Sequence, residues 1–390
     1  MIVAVPAETF PGENRVALVP ADIANLKKAD CEVVVEAGAG VKAGYPDGAY
    51  EEKGARIIGE RRDVFSSAEI LLQVRGFCAN PVLGKADLEL LHDGQVIIGF
   101  MKPCSNAKYV KAISEHKVVT FAMELMPRIS RAQSMDTLSS MMTIAGYKAV
   151  LLAADALPRM FPMFITAGGT ITPARVFVIG AGVSGLQAIA TSRRLGGVVR
   201  AYDIRPAVKE QVQSLGARFV EVELNEKDTE TDAGYAKEMD EAFYENQRRL
   251  LKKTVAESDA VITTAAIPGK RAPVLITAEM VKGMAPGSVI VDVAAESGGN
   301  CELTERGKTV VKDGVTVIGN ANLPAAVPYH ASQLYSRNAT NFFLHLVKGG
   351  KLSFDMGDQI IKDTMVSKDG EFIDGKIKDV LDLANLKLEP

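Results

Sequence analysis

Six consecutive residues near the middle of the chain, Gly180-Ala181-Gly182-Val183-Ser184-Gly185, have the types and spacing to receive a phosphate-bearing ligand. They follow an apolar β-branched run at 175–180 and open a helical pattern over 186–195. In that setting the first glycine permits a tight turn. The second lets backbone approach a pyrophosphate, and the third lets helix and strand touch. The helix N-terminus behind them offers free N–H groups and the positive end of a dipole, worth about 0.3–2 kcal/mol to an anion. Glycines at this spacing also occur in turns that bind nothing, so the surrounding pattern decides. The next strand ends at Asp203, 18 residues after Gly185. A carboxylate there accepts hydrogen bonds from the hydroxyls of an adenosine ribose and repels a 2′-phosphate, which favours NAD(H) over NADP(H). Arg205, two residues on, is placed to soften that repulsion.

The elements that must position this turn follow from the hydrophobic pattern. Short β-branched runs alternate with longer helical stretches, the pattern of parallel sheets covered on both faces. The first set of strands falls at 2–6, 33–36, 70–74, 96–100 and 118–122, with a helix entered at Pro20-Ala21-Asp22. Apolar residues Leu138, Met141, Met142, Ala145, Val150 and Leu152 then mark a long helix from about 137 to 160. A second set of strands falls at 175–180, 198–202, 219–222, 260–264, 288–293 and 315–318. Helical pattern returns over 332–347, followed by a polar tail with a turn at Asp369-Gly370. The 390 residues exceed the roughly 250–300 at which a single core divides. The reading is α/β: two Rossmann-like, doubly wound parallel-sheet domains joined by a long helix. Residues 1–137 with 326–390 form the first, and 138–325 the second, which carries the glycine turn. Between the third and fourth strands of the second set, residues 221–245 hold ten acidic side chains against two lysines. With little apolar surface to pack, the stretch from about 224 to 237 is expected to be mobile until a ligand orders it.

Composition restricts the classes. An apolar fraction of 47%, a charged fraction of 24% and a net charge of −3 offer no general attraction to nucleic acid or anionic membrane. The most apolar stretch, 150–165, contains Asp155, Arg159 and two prolines, and is short of the ~20 residues of a bilayer span. The N-terminus reads as a first strand rather than a leader. Cys31, Cys78, Cys104 and Cys301 are far apart and the four histidines have no metal spacing, so neither disulfides nor a metal site is expected, as suits a reducing cytosol.

The chain also resembles the alanine dehydrogenase and transhydrogenase group along most of its length. Pro6-Ala7-Glu8 and Glu13-Asn14-Arg15-Val16-Ala17-Leu18 are similar to the N-terminal signature of that group. Residues 128–140, Arg-Ile-Ser-Arg-Ala-Gln-Ser-Met-Asp-Thr-Leu-Ser-Ser, resemble the NAD(H)-binding domain of proton-translocating transhydrogenases. So do Tyr202-Asp203-Ile204-Arg205-Pro206, Gly234-Tyr235-Ala236-Lys237-Glu238-Met239 and Ile267-Pro268-Gly269-Lys270. Met141-Met142-Thr143 departs from the family, which carries smaller or polar residues there. The resemblance implies that Arg128, Gln133, Asp136 and Ser139 sit at the nicotinamide end of NAD(H), with Gln133 reaching toward a second cofactor. Tyr235 would close over the site and Ala265 would border it. The implied enzyme is an NAD(P) transhydrogenase, with NADP(H) on a partner chain, an integral-membrane proton-channel component and a homodimer. Its place would be cytoplasmic, held to the inner membrane through its partners. Hydride exchange between two nicotinamides needs no general base; it needs the two C4 atoms about 3–3.5 Å apart with water excluded. As ordinary structural residues, Asp136 would be a helix N-cap, Gln133 and Arg128 solvated loop side chains, and Tyr235 a surface residue.

Two other functions compete. An amino-acid dehydrogenase of the same group would use Arg15 as a carboxylate clamp plus a lysine–histidine pair. Here 70–77 offers only Arg75, and 96–104 offers Lys102 but no histidine. An arginine stays protonated and cannot be the base. A non-catalytic NAD(H) sensor would use the acidic loop and Tyr235 equally well; an NADPH-dependent rate with an NADP(H)-binding partner separates it from the enzyme.

Overall fold

The computed structural model describes residues 1–221, 241–266 and 271–373. Contacts divide the chain into two units, Met1–Met141 with Ala325–Pro390, and Met142–Pro324.

The first unit is built on an eight-stranded sheet. Its order is Glu371–Phe372, Met365–Lys368, Val119–Ala122, Val96–Phe100, Ile70–Arg75, Ile2–Val5, Glu32–Glu36 and Arg56–Ile58. The six strands from the N-terminal stretch of the chain are parallel. The central Ile70–Arg75 strand is buried at every position, as a strand covered on both faces must be. One face is sealed by Ala4, Val34, Leu71 and Ile97 with Val64, Phe65, Val110 and Ile113. On the sheet also lies the helix Pro328–Leu346, which starts at a proline suited to a first helical turn, four residues before the pattern predicted. Its Tyr335 hydroxyl donates to the Gln73 carbonyl at 2.7 Å, and Phe342 meets Phe121 at 5.2 Å between ring centres. Ser332 and Ser336 hydroxyls accept the Val16 and Val19 amides at 2.9 and 3.0 Å. The sequence showed only a turn at Asp369-Gly370; both residues have positive φ, 52° and 85°, and close an antiparallel hairpin. That hairpin adds to the edge strand Val119–Ala122, so the sheet is parallel in its body and antiparallel at one edge.

The second unit carries seven strands in the order Arg218–Phe219, Val198–Tyr202, Arg175–Ile179, Ala260–Thr263, Val289–Asp292, Val315–Ile318 and Thr309–Lys312. All pairs are parallel except the last. The chain winds outward from Arg175–Ile179 in one direction, then returns to wind in the other. Its crevice between that strand and Ala260–Thr263 is the switch point at which such sheets receive ligands. The helix Thr137–Ala156 links the two sheets' sequences. It is long and apolar enough to cross a membrane by composition alone, yet Ala145, Ala149, Val150 and Ala153 are buried in the second unit's core. A Cβ on Gly146 would lie 2.1 Å from the Ser184 carbonyl oxygen, so only glycine lets this helix lie against the glycine turn. The helix stops at Ala156, short of the predicted 160, with Pro158 beyond it. An antiparallel hairpin, Phe164–Thr166 with Gly169–Ile171, follows; the sequence pattern did not reveal it, and its Phe164, Ile165 and Ile171 are exposed.

Candidate functional site

The glycine turn stands where the first strand of the second unit ends. Gly180 has φ +94°, a conformation that a Cβ would strain, and a Cβ there would also meet the Thr264 hydroxyl at 2.6 Å. A Cβ on Gly185 would fall 1.8 Å from the Gly180 carbonyl oxygen, so the close contact between turn and helix excludes every other residue. A Cβ on Gly182, by contrast, would meet nothing within 4 Å: the turn leaves open space at that position. The helix Val183–Arg194 begins there, with no side chain capping it, no acid in its first turn, and Arg193 and Arg194 in its last. Ser184 Oγ is buried without a hydrogen-bond partner among the described residues. An open glycine face, an uncapped helix start and an unpartnered buried hydroxyl together fit a dinucleotide pyrophosphate. Ala181 and Val183 complete the turn, and Ala181 is buried in the core.

Asp203 closes the same site. Its Oδ2 accepts the Ala181 amide at 2.7 Å, which ties the strand end to the glycine turn. Its Oδ1 accepts the Arg205 amide at 2.9 Å, and the Arg205 guanidinium spans both oxygens at 2.9 Å each. Beside it Ile204, Pro206, Phe219 and Phe243 line a cleft rimmed by Glu221, a flat apolar slot suited to a purine. Ala265 sits at the end of the neighbouring strand. Its amide donates to Asn300 Oδ1 at 3.0 Å, and Asn300 Nδ2 donates back to its carbonyl at 2.7 Å. Asn300 is in turn fixed by Asp292, which accepts the Asn300 and Cys301 amides and the Thr304 and Thr263 hydroxyls. Sequence reasoning missed both residues; the available signal was the pair Gly298-Gly299, both at positive φ, directly before Asn300. Tyr235, with the acidic stretch around it, and the segment Ile267-Pro268-Gly269-Lys270 lie outside the described residues.

In the first unit, Ser130–Met135 forms a 3-10 turn that delivers Asp136 to the start of the helix Thr137–Ala156. Asp136 takes the Ser139 amide on Oδ1 at 2.9 Å and the Ser139 hydroxyl on Oδ2 at 2.5 Å, the bonds of an N-cap. Gln133 and Arg128 are exposed, Gln133 on the turn and Arg128 just before it. The turn is pinned from the far end of the chain. Asn338 and Asn341 amides donate to the Ser134 carbonyl at 2.8 and 3.0 Å. Asp358 holds the Arg131 guanidinium through two bonds of 2.7 and 3.0 Å, and accepts His345 at 2.8 Å if that nitrogen is protonated. The Arg131 bond holds the Asp358 carboxyl down to about 2, so the clamp stays ionised across the neutral range.

The residues that a dehydrogenase would use are already engaged. Glu13, fully buried, takes the Arg15 guanidinium in two bonds of 2.6 Å and the Arg75 Nε at 3.1 Å. Arg75 also lies over the Phe10 ring at 4.3 Å. The Glu8 carboxylate accepts the Val74 and Arg75 amides at 2.6 and 3.1 Å. Burial first, then the charge of Glu13, pushes Glu8 up to about 8. The Lys102 amide is bonded to Glu124.

Comparison with known proteins agrees with this geometry. The family model "Alanine dehydrogenase/PNT, N-terminal domain" matches residues 4–145, and "Alanine dehydrogenase/PNT, C-terminal domain" matches 149–375. The chain is 47% identical to the first portion of the split NAD(P) transhydrogenase subunit alpha of Rhodospirillum rubrum, over 96% of its own length and 98% of the relative. It is 31% identical to alanine dehydrogenase of Bacillus subtilis, over 84% of its length and 81% of that protein. A solved transhydrogenase structure from Sinorhizobium meliloti superimposes with a TM-score of 0.85 at 42% identity, covering 96% of this chain and 100% of that one. The chain belongs to the alanine dehydrogenase/PNT family, on the side of its transhydrogenase alpha subunits.

Proposed function

We propose that this chain is the NAD(H)-binding component of a proton-translocating nicotinamide nucleotide transhydrogenase, exchanging hydride with NADP(H) held on a partner chain. The observation that carries this reading against an amino-acid dehydrogenase is the capture of Arg15 and Arg75 by the buried Glu13. Neither guanidinium is left to clamp a substrate carboxylate, and neither can act as a base. When bound, NAD(H) supplies the hydride carrier. The chain's own residues supply its position: the glycine turn and helix start receive the pyrophosphate, Asp203 the adenosine ribose, and the slot beside it the adenine. Arg128, Gln133, Asp136 and Ser139 are proposed to serve the nicotinamide end. Asp136 would do so by fixing the helix start through Ser139, and Gln133 by orienting a neutral group without favouring either redox state. Tyr235 is proposed to cover the bound nucleotide, and Ala265 to border it on a backbone fixed by Asn300. An integral-membrane component would carry the protons and hold this chain peripherally at the cytoplasmic face of the inner membrane. A second copy of the chain would complete a homodimer, and the exposed apolar hairpin at 164–171 supports that assembly.

The test mixes the chain with the NADP(H)-binding component of a transhydrogenase and follows single-turnover hydride transfer. Gln133→Ala should slow transfer by on the order of a hundredfold, the cost of misplacing reacting centres by about 1 Å. The NADH dissociation constant should change only a few-fold. Transfer at the parental rate would return Gln133 to an ordinary surface residue, and NADH formation from alanine and NAD would favour the dehydrogenase.

A further inference from the structure

Asp203 is an acceptor whose capacity is already used. An ionised carboxylate offers about four lone-pair sites. Among the described residues four donors reach it: the Ala181 amide and Arg205 Nη2 at Oδ2, and the Arg205 amide and Nε at Oδ1. The pair is nearly enclosed, with side chains 7% and 16% exposed for Asp203 and Arg205. Two of the four donors are backbone groups fixed by the strand end and the glycine turn. The other two belong to one movable guanidinium, one bond at each oxygen. A ribose diol brings two hydroxyl donors, so it can be accommodated only by exchange with that guanidinium. After the exchange Arg205 remains tethered two residues away, a cation at the edge of the ribose.

We infer that Arg205 is a specificity-determining residue: a 2′-phosphate ligand held in reserve by Asp203, which both occupies its guanidinium and repels the phosphate it would bind. The inference rests on the reading that the second unit holds NAD(H). In the parent chain a 2′-phosphate meets the Asp203 carboxylate, and the Arg205 cation is spent neutralising it. Glu221, across the cleft, is itself paired with Lys209, so Asp203 is the anion that matters. Removing the carboxylate alone therefore does more than end a repulsion. It releases a guanidinium whose planar donors match phosphate oxygens. The adenine slot is the same for both nucleotides, so discrimination is concentrated at this pair.

The experiment is a double-mutant cycle on the full chain, with NADH and NADPH binding measured by calorimetry for the parent, Asp203→Ser, Arg205→Ser and the double variant. Asp203→Ser should bind NADPH about ten- to a hundredfold more tightly than the parent, the range of charge-assisted hydrogen bonds. The double variant should lose most of that gain, and Arg205→Ser alone should leave NADPH weak. A double variant binding NADPH as tightly as Asp203→Ser overturns the inference, as does an Asp203→Ser protein with no gain. If Asp203→Ser does not fold by circular dichroism, Asp203→Asn, which keeps a carbonyl for the Ala181 amide, takes its place with the same outcomes deciding. A parent chain that binds no NADH would instead refute the underlying reading.

Discussion

The two units share a plan, a parallel sheet with its first strand near the middle, but they finish the carboxyl edge of that strand in opposite ways. In the second unit Arg175–Ile179 runs into a glycine turn with open space at Gly182 and a helix start that no side chain caps. In the first unit Ile2–Val5 runs into Pro6-Ala7-Glu8, and the chain's own carboxylates fill the edge. Glu8 sits on the Val74 and Arg75 amides, and Glu13 on the Arg15 and Arg75 guanidiniums. One sheet keeps its donors for an external anion; the other has satisfied them internally. The fold alone therefore does not say which sheet binds a ligand. What says so is whether the groups at the sheet edge already have partners.

Breaking the internal partner should have the largest effect. Glu13→Gln leaves two guanidiniums buried opposite a neutral amide, and removing one member of such a group costs about 3–5 kcal/mol. Denaturant unfolding should show a loss of that size, while NADH affinity of the folded fraction stays at the parental value. A stability change under about 1 kcal/mol would mean that the cluster is more hydrated than its enclosure indicates.

Gly182→Ala tests the other side of the comparison. The new methyl group enters open space and the backbone at Gly182, φ −76° and ψ −168°, suits any residue, so unfolding should be unchanged. NADH affinity should fall on the order of tenfold, because the methyl group stands where the pyrophosphate approaches the backbone. Unchanged affinity would place the phosphates elsewhere.

The glycine turn was legible because its demands are steric and local: Gly180 and Gly185 admit no Cβ, so the requirement is written in the residue type itself. Asp203 was legible for the same reason, since it lies at a fixed distance along a strand. The doubly wound sheets were legible through β-branched runs buried on both faces. The hold on the 130–135 turn was not. Ser134 and Arg131 are ordinary residues, and their partners Asn338, Asn341 and Asp358 lie 204 to 227 positions away. Nothing in residue type or spacing announces a hydrogen bond across that separation. The 164–171 hairpin was missed for a different reason: exposed apolar side chains imitate a buried pattern. Glu13 was read as one residue of a motif with Arg15, but its capture of Arg75, 62 positions on, required the fold.

The smallest effect separates the two sheet edges by pH. The Glu8 carboxyl is surrounded by protein, and its folded-state pKa is raised from 4.5 to about 8, by burial first and by Glu13 second. Between those values the folded chain holds a proton that the unfolded chain has released. The stabilisation due to Glu8 is therefore complete below about pH 4.5 and is lost as pH rises through 8. Gln at this position cannot ionise, yet its carbonyl can still accept the Val74 amide. Each pKa unit corresponds to about 1.4 kcal/mol, so thermal unfolding at about pH 5 and pH 8 should show the parent chain losing more stability than Glu8→Gln over that interval. Two proteins with parallel pH profiles would mean that Glu8 is ionised throughout, its two backbone donors and Arg15 outweighing burial. The first unit's edge would then be an anion site occupied by an ionised carboxylate, closer in chemistry to the phosphate site of the second unit than a protonated Glu8 would make it.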